Sequence, residues 1–145
     1  MVKIKRLAYV MPGPEVTLGD RLAGCQLSTV DSRIIQGEIP LTAAPGFRKV
    51  QLACFGKKVL SKVVERYAGE HGLEIGLLDD LLIVAQSAEY QNAFFPVYAL
   101  GSCVPSGPGR WKIPCLSREA QGTDLRLEPF ETEFLENAYF VLVQK

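Results

Sequence analysis

The chain has 145 residues, 48% of them apolar and 22% charged, and its 16 Lys/Arg are matched by 16 Asp/Glu. That length buries roughly 70% of the surface an unfolded chain exposes, so neither a disulfide nor a metal is required to hold a core, and the composition excludes disordered and fibrous classes. Zero net charge argues against a general nucleic-acid binder, which draws most of its affinity from a basic excess over phosphate.

Lys3 to Met11 reads as a first strand, stopped by Pro12-Gly13-Pro14. Behind Lys3, Lys5 and Arg6 its apolar run is too short for a secretory signal. The longest strongly apolar stretch, Leu81 to Ala85, falls far below the roughly 18 residues of a membrane span. A cytoplasmic protein with no membrane association is the expectation. From Glu15 to Gly46, glycines and prolines interrupt short apolar pairs, and short strands over Gly24–Val30 and Arg33–Ile39 are expected around a Val30–Arg33 turn.

Phe47 to Phe55 alternates as a strand and Gly56 breaks it. Lys57 to Glu70 is the clearest helix, because Val59, Leu60, Val63, Val64, Tyr67 and Ala68 form one apolar face, with Gly72 placed for the C-terminal cap. Leu81 to Gln86 fits two patterns. As a strand it completes a βαβ crossover; alternatively Leu77, Leu78, Leu81, Leu82, Ala85 and Ala88 line a second helix from Gly76 to about Tyr90.

Strands follow over Phe95–Cys103, Trp111–Ser117, Asp124–Glu128 and Tyr139–Gln144, with a short helix over Phe130–Glu136. Pro114 favours an edge or bulge position within its strand. The expected fold class is α+β in one globular domain spanning 1–145: a mixed, largely antiparallel sheet with one or two packed helices and room for one βαβ unit.

Four cysteines, at 25, 54, 103 and 115, form no CxxC pair, and the single histidine, His71, is distant from all of them in sequence. Structural zinc is therefore not expected. Free buried thiols are the expectation, the exception being a Cys103–Cys115 pair across the Pro/Gly-rich loop.

His71 at a helix end suits a capping role, since no G-x-S-x-G elbow or other nucleophile arrangement accompanies it. Asp79-Asp80 reads as helix or turn punctuation, because neighbouring carboxylates point in different directions and make a poor shared metal site. Glu128, Glu131, Glu133 and Glu136 form an acidic series in which, with Phe130–Glu136 helical, Glu133 and Glu136 make a solvated stripe opposite Phe130 and Phe134. Tyr90, Phe94, Phe95 and Tyr98 read as core aromatics, with an exposed recognition patch as the alternative. No catalytic residue, metal ligand or cofactor is assigned.

Charge is uneven along the chain. Met1 to Arg66 holds 11 Lys/Arg against 5 Asp/Glu, and Tyr67 to Lys145 holds the reverse. The bland reading is that the two halves fold against each other. Phe55-Gly56-Lys57-Lys58 sits between a strand and a helix, where backbone N–H groups can hold an anion, yet it lacks the P-loop pattern.

Two surfaces are candidates for partner binding: Lys57, Lys58 and Lys62 near the helix start, and Arg110 with Trp111 at the end of the Gly101–Trp111 loop. The functional expectation is a non-enzymatic interaction or regulatory protein that binds a larger protein assembly. Virus-type accessory factors acting on host transcription machinery are the prior example. A nucleic-acid binder using the basic N-terminal half, and a small enzyme without a recognisable motif, are the alternatives.

Overall fold

The strand read over Lys3 to Met11 becomes β1 (Lys3–Met11) in the computed structural model, which describes residues 1–87, 90 and 96–145. The chain continues through α1 (Leu18–Gly24), β2 (Thr29–Val30), α2 (Ser32–Ile35), β3 (Gly46–Cys54), α3 (Ser61–Glu70), β4 (Leu73–Ile75) and α4 (Leu78–Val84). It ends with β5 (Val97–Tyr98), β6 (Val104–Pro105), β7 (Trp111–Glu119), β8 (Gly122–Pro129) and β9 (Tyr139–Gln144). The strands form one mixed, mostly antiparallel sheet in the order β1-β3-β9-β5-β7-β8-β2, with β4 on β9 and β6 on β7. The α+β class is as expected. Among the described residues no helix is long and apolar enough to cross a membrane.

Both β3 and β4 run antiparallel to β9, so they are parallel to each other with β9 between them, and α3 makes the crossover. The βαβ unit is thus split by β9, and its second strand is Leu73–Ile75 rather than Leu81–Gln86. That later stretch falls partly in α4, the helical alternative. α4 has its acidic residues in the first turn, where the helix dipole favours them, and Leu78, Leu81, Leu82 and Val84 are all fully buried.

The pleat of β3 and β9 divides the core in two. Val50, Leu52, Val141 and Val143 pack with α4 on one face, whereas Ala53, Phe140 and Leu142 pack with Val64 and Ala68 of α3 on the other. Each fully buried aliphatic side chain contributes about 1.5–3 kcal/mol. On the α3 face, Phe134 and Phe140 meet edge to face at 5.1 Å, and Tyr98 contacts Phe134 at 4.8 Å. Tyr90 and Tyr98 are therefore core aromatics; Phe94 and Phe95 lie outside the described residues.

Four expectations are corrected. Residues 33–39 do not form a strand: Asp31 accepts the Arg33 N–H and caps α2, a local bond that competes with a ladder. α3 begins at Ser61, not Lys57, because Val59 is drawn into a bridge with Phe134. That same bridge leaves Phe130–Glu136 as bends over 130–132, a bridge at Phe134 and a turn entered at Glu136, in place of a short helix. Within Phe95–Cys103 the described strand is β5 alone, and Gly101 turns toward the Gly76 carbonyl, 2.8 Å from its N–H.

Pro114 lies inside β7, and its carbonyl accepts from Ala99 at 3.2 Å. Its nitrogen therefore faces the gap between β5 and β6, where the ladder requires no donor. The four cysteines are free thiols; Cys103 is exposed and the others are buried, so the Cys103–Cys115 pair does not form.

Candidate functional site

The β6–β7 hairpin places Arg110 and Trp111. Pro105 pairs with Trp111, the Ser106 N–H donates to the Arg110 carbonyl (2.9 Å), and the Arg110 N–H donates to Gly107 (3.0 Å). Gly107 and Gly109 supply the positive φ values of the tip. Trp111 is left 45% exposed, while its carbonyl accepts from the Phe130 N–H at 2.9 Å. The chain after β8 is thereby tied to the hairpin at one end. Four residues later it is tied to the start of α3, where Phe134 and Val59 exchange both backbone hydrogen bonds at 2.8 and 3.1 Å.

Segment 130–134 therefore forms a ridge between two concavities. One, of about 460 Å³, is lined by Arg110, Trp111, Lys112 and Glu131. The other, of about 630 Å³, is lined by Leu60, Lys62, Glu65, Phe130, Glu131 and Glu133. Glu131 lines both, so the surface is continuous. Of the sequence-derived candidates, Lys62, Arg110 and Trp111 come together here; Lys57 and Lys58 are exposed before α3 and line neither concavity.

Leu60 is 52% exposed at the N-cap position of α3, where no side chain caps the helix. Lys62, Arg110, Lys112, Glu65, Glu131 and Glu133 form no ion pair with one another among the described residues. An apolar centre of Trp111, Phe130 and Leu60 is thus surrounded by charges of both signs that remain free to pair. Three carboxylates beside Lys62 also make the α3 start a poor phosphate cradle, since an anion bound there would face them.

The chain matches no protein-family model, no curated protein and no solved structure. The remaining candidates resolve into structural roles. His71 caps α3: its Nδ1–H donates to the Tyr67 carbonyl at 2.8 Å, and its ring stacks on Tyr67 at 4.0 Å. Glu128 lies 3.6 Å from Arg126 on the outward face of β8, and without a helix over 130–136 the acidic stripe does not exist.

Asp79 and Asp80 do mark the start of α4, where Asp80 accepts the N-cap Leu77 N–H, and they are also the two most buried charges described, 1% and 0% exposed. Asp80 accepts two bonds from Arg48 (2.9 and 3.0 Å), one from the Tyr9 hydroxyl (2.6 Å) and one from the Leu77 N–H (3.0 Å). Asp79 accepts from the Ala43 N–H (3.0 Å) and the Thr42 N–H (3.4 Å), with Arg21 3.7 Å away. Arg21, 6% exposed, in turn donates to the carbonyls of Gly13, Val16 and Pro12.

Arg21 and Asp79 floor a concavity of about 440 Å³, but their polar atoms are spent on holding loops 12–16 and 42–43 together. Burial raises the Tyr9 phenol, reinforced by the Asp80 charge. For Arg48, burial acts downward, and the Asp80 hydrogen bond and charge more than offset it. These two ion pairs join the basic and acidic halves of the chain.

Proposed function

We propose that the protein is a non-enzymatic interaction module that binds a protein partner through the surface between the β6–β7 hairpin and α3. The carrying observation is a pair of adjoining concavities that share Glu131, in which exposed Trp111 and Leu60 flank Phe130 and six charged side chains form no ion pair among the described residues. Trp and Arg are enriched at interface centres, and a polar rim that excludes water strengthens them. The balance of Lys62, Arg110 and Lys112 against Glu65, Glu131 and Glu133 suits a protein surface of mixed charge better than a polyanion.

The test compares wild-type chain with Trp111→Ala and Lys62→Glu in affinity capture after nuclease treatment, read by mass spectrometry. The proposal expects one protein retained by wild type and lost by both variants, with thermal midpoints unchanged. Equal retention by all three sinks it. Trp111 is the only tryptophan, so its emission then reports the recovered partner directly in titration.

A further inference from the structure

The sheet has two ends of unequal length. β2 ends one side after two residues, whereas β1 presents nine residues at the other and pairs only with β3. The registers show which backbone groups β1 leaves unused. Val141 accepts from Gly76 and Tyr139 donates to Pro96, so the odd residues of β9 turn their peptide groups toward β4 and β5. Its even residues therefore bond β3 through Phe140↔Ala53 and Leu142↔Gln51. β3 then turns Arg48, Val50 and Leu52 toward β1, where Tyr9, Leu7 and Lys5 stand opposite. Ile4, Arg6, Ala8 and Val10 consequently direct both N–H and C=O outward.

Charge and apolar surface accompany this edge. β1 and β3 contain Lys3, Lys5, Arg6, Arg48 and Lys49 and no acidic residue. Asp80 engages Arg48, whereas Lys3, Arg6 and Lys49 form no ion pair among the described residues. Arg6 and Lys49 border a shared concavity of about 320 Å³ on the α3 face of the sheet. Val10 and Phe47 are paired across the strands and are 71% and 66% exposed. On the opposite face, the Tyr9–Asp80 bond fixes β1 to α4, so the edge is held in place before anything binds.

We propose that β1 is a strand-accepting edge that takes an extended acidic segment of a partner protein as an added antiparallel or parallel strand. Main-chain bonds to Ile4, Arg6, Ala8 and Val10 supply affinity, carboxylates over Arg6 and Lys49 set selectivity, and an apolar side chain on the same face covers Val10 and Phe47. A second copy of the chain fits worse, since its own β1 brings three basic residues and no acid. Nucleic acid answers the charge and leaves the outward amides and the Val10–Phe47 pair without a complement. β3, β9 and β5 separate this edge from β7, so it is independent of the Trp111 surface.

The test uses two synthetic peptides as long as β1, with valine along one face and, along the other, a valine to lie over Val10 and Phe47 and otherwise glutamate in one peptide and lysine in the second, together with a single-stranded oligonucleotide. Backbone amide exchange of the full chain is followed by NMR. The valine–glutamate peptide is expected to slow exchange at Ile4, Arg6, Ala8 and Val10 and to bind about tenfold or more tightly than the lysine peptide, because like charges over a strand edge repel. Ala8→Pro removes an outward N–H without touching the β3 ladder and is expected to abolish binding.

Should Ala8→Pro unfold the chain, Arg6→Glu combined with Lys49→Glu is expected to reverse the peptide preference. Trp111→Ala is expected to leave peptide binding unchanged. Equal binding of the two peptides, no protection at the four outward amides, preference for the oligonucleotide, or sedimentation of the free chain as a dimer that Ala8→Pro dissociates would each overturn the proposal.

Discussion

Replacing Asp80 by asparagine removes the charge from a carboxylate that is fully buried and accepts four hydrogen bonds, two of them from Arg48. Breaking one side of a buried ion pair costs about 3–5 kcal/mol, chiefly because the surviving charge is left without a counterion. Arg48 retains 19% exposure and reaches some water, which places Asp80→Asn near the lower end, about 3 kcal/mol. At roughly 4 °C per kcal/mol for a chain of this length, the thermal midpoint falls by about 12 °C.

Arg48→Met is the harsher change, about 4–5 kcal/mol, since it strands a carboxylate with no exposure at all. The double variant should lose less than the sum of the two by about 1–3 kcal/mol. Urea unfolding of the four species at neutral pH, monitored by circular dichroism, measures this cycle. A cost for Asp80→Asn within about 0.5 kcal/mol, the level of an exposed pair, or strict additivity in the cycle, would refute a buried and coupled pair.

Two other expectations concern stability. A Cβ at Gly76 would lie 2.6–2.8 Å from Val141 side-chain atoms and the Val141 carbonyl, and a backbone atom cannot rotate aside, so Gly76→Ala should cost about 3 kcal/mol in denaturant melts. Gly69→Ala, in α3 with nothing within 4 Å, should instead stabilise by about 0.5 kcal/mol, and a similar loss at both sites would count against the Gly76 packing. The Cys115 thiol is pushed up to about 12, first by burial and then by the Glu128 charge. The stability it contributes is complete below the ordinary thiol value and is lost as pH rises through the folded one, so the melting temperature should drop between about pH 9 and 12 more steeply in wild type than in Cys115→Ala. Parallel curves would show that Cys115 does not carry that loss.

The strands at 3–11 and 139–144 were readable because each holds a short apolar run, and Pro12-Gly13-Pro14 marks the first one's end. Residues 130–136 misled because Phe130 and Phe134 have helical spacing. Their partners lie elsewhere in the chain: Phe134 packs on Phe140 and bridges Val59. The same non-locality hid the role of Asp79-Asp80: Asp80's partners Tyr9 and Arg48 are 71 and 32 residues away in sequence, and Asp79's partner Ala43 is 36 away. A signal was present all the same, since two acids between Leu77-Leu78 and Leu81-Leu82 must be buried with those leucines and therefore need counterions.

Lys62, Arg110 and Trp111 were legible by residue type and loop context. Leu60, Phe130 and Glu131, which join them into one surface, were not, because a bridge between residues 59 and 134 leaves no local pattern.

The placement of β9 constrains how the protein can be made. β3, β4 and β5 all hydrogen-bond to residues 139–144, so the centre of the sheet stays open until the ribosome has released that segment. Before then, the apolar inner sides of β3, α3 and α4 have no common strand to close on, and the long pairings that need no residue of β9 are the β1–β3 ladder and the β7–β8 hairpin. Synthesis order and assembly order therefore differ: the strand shared by β3, β4 and β5 follows all three in the chain, so their joining into one sheet waits for it.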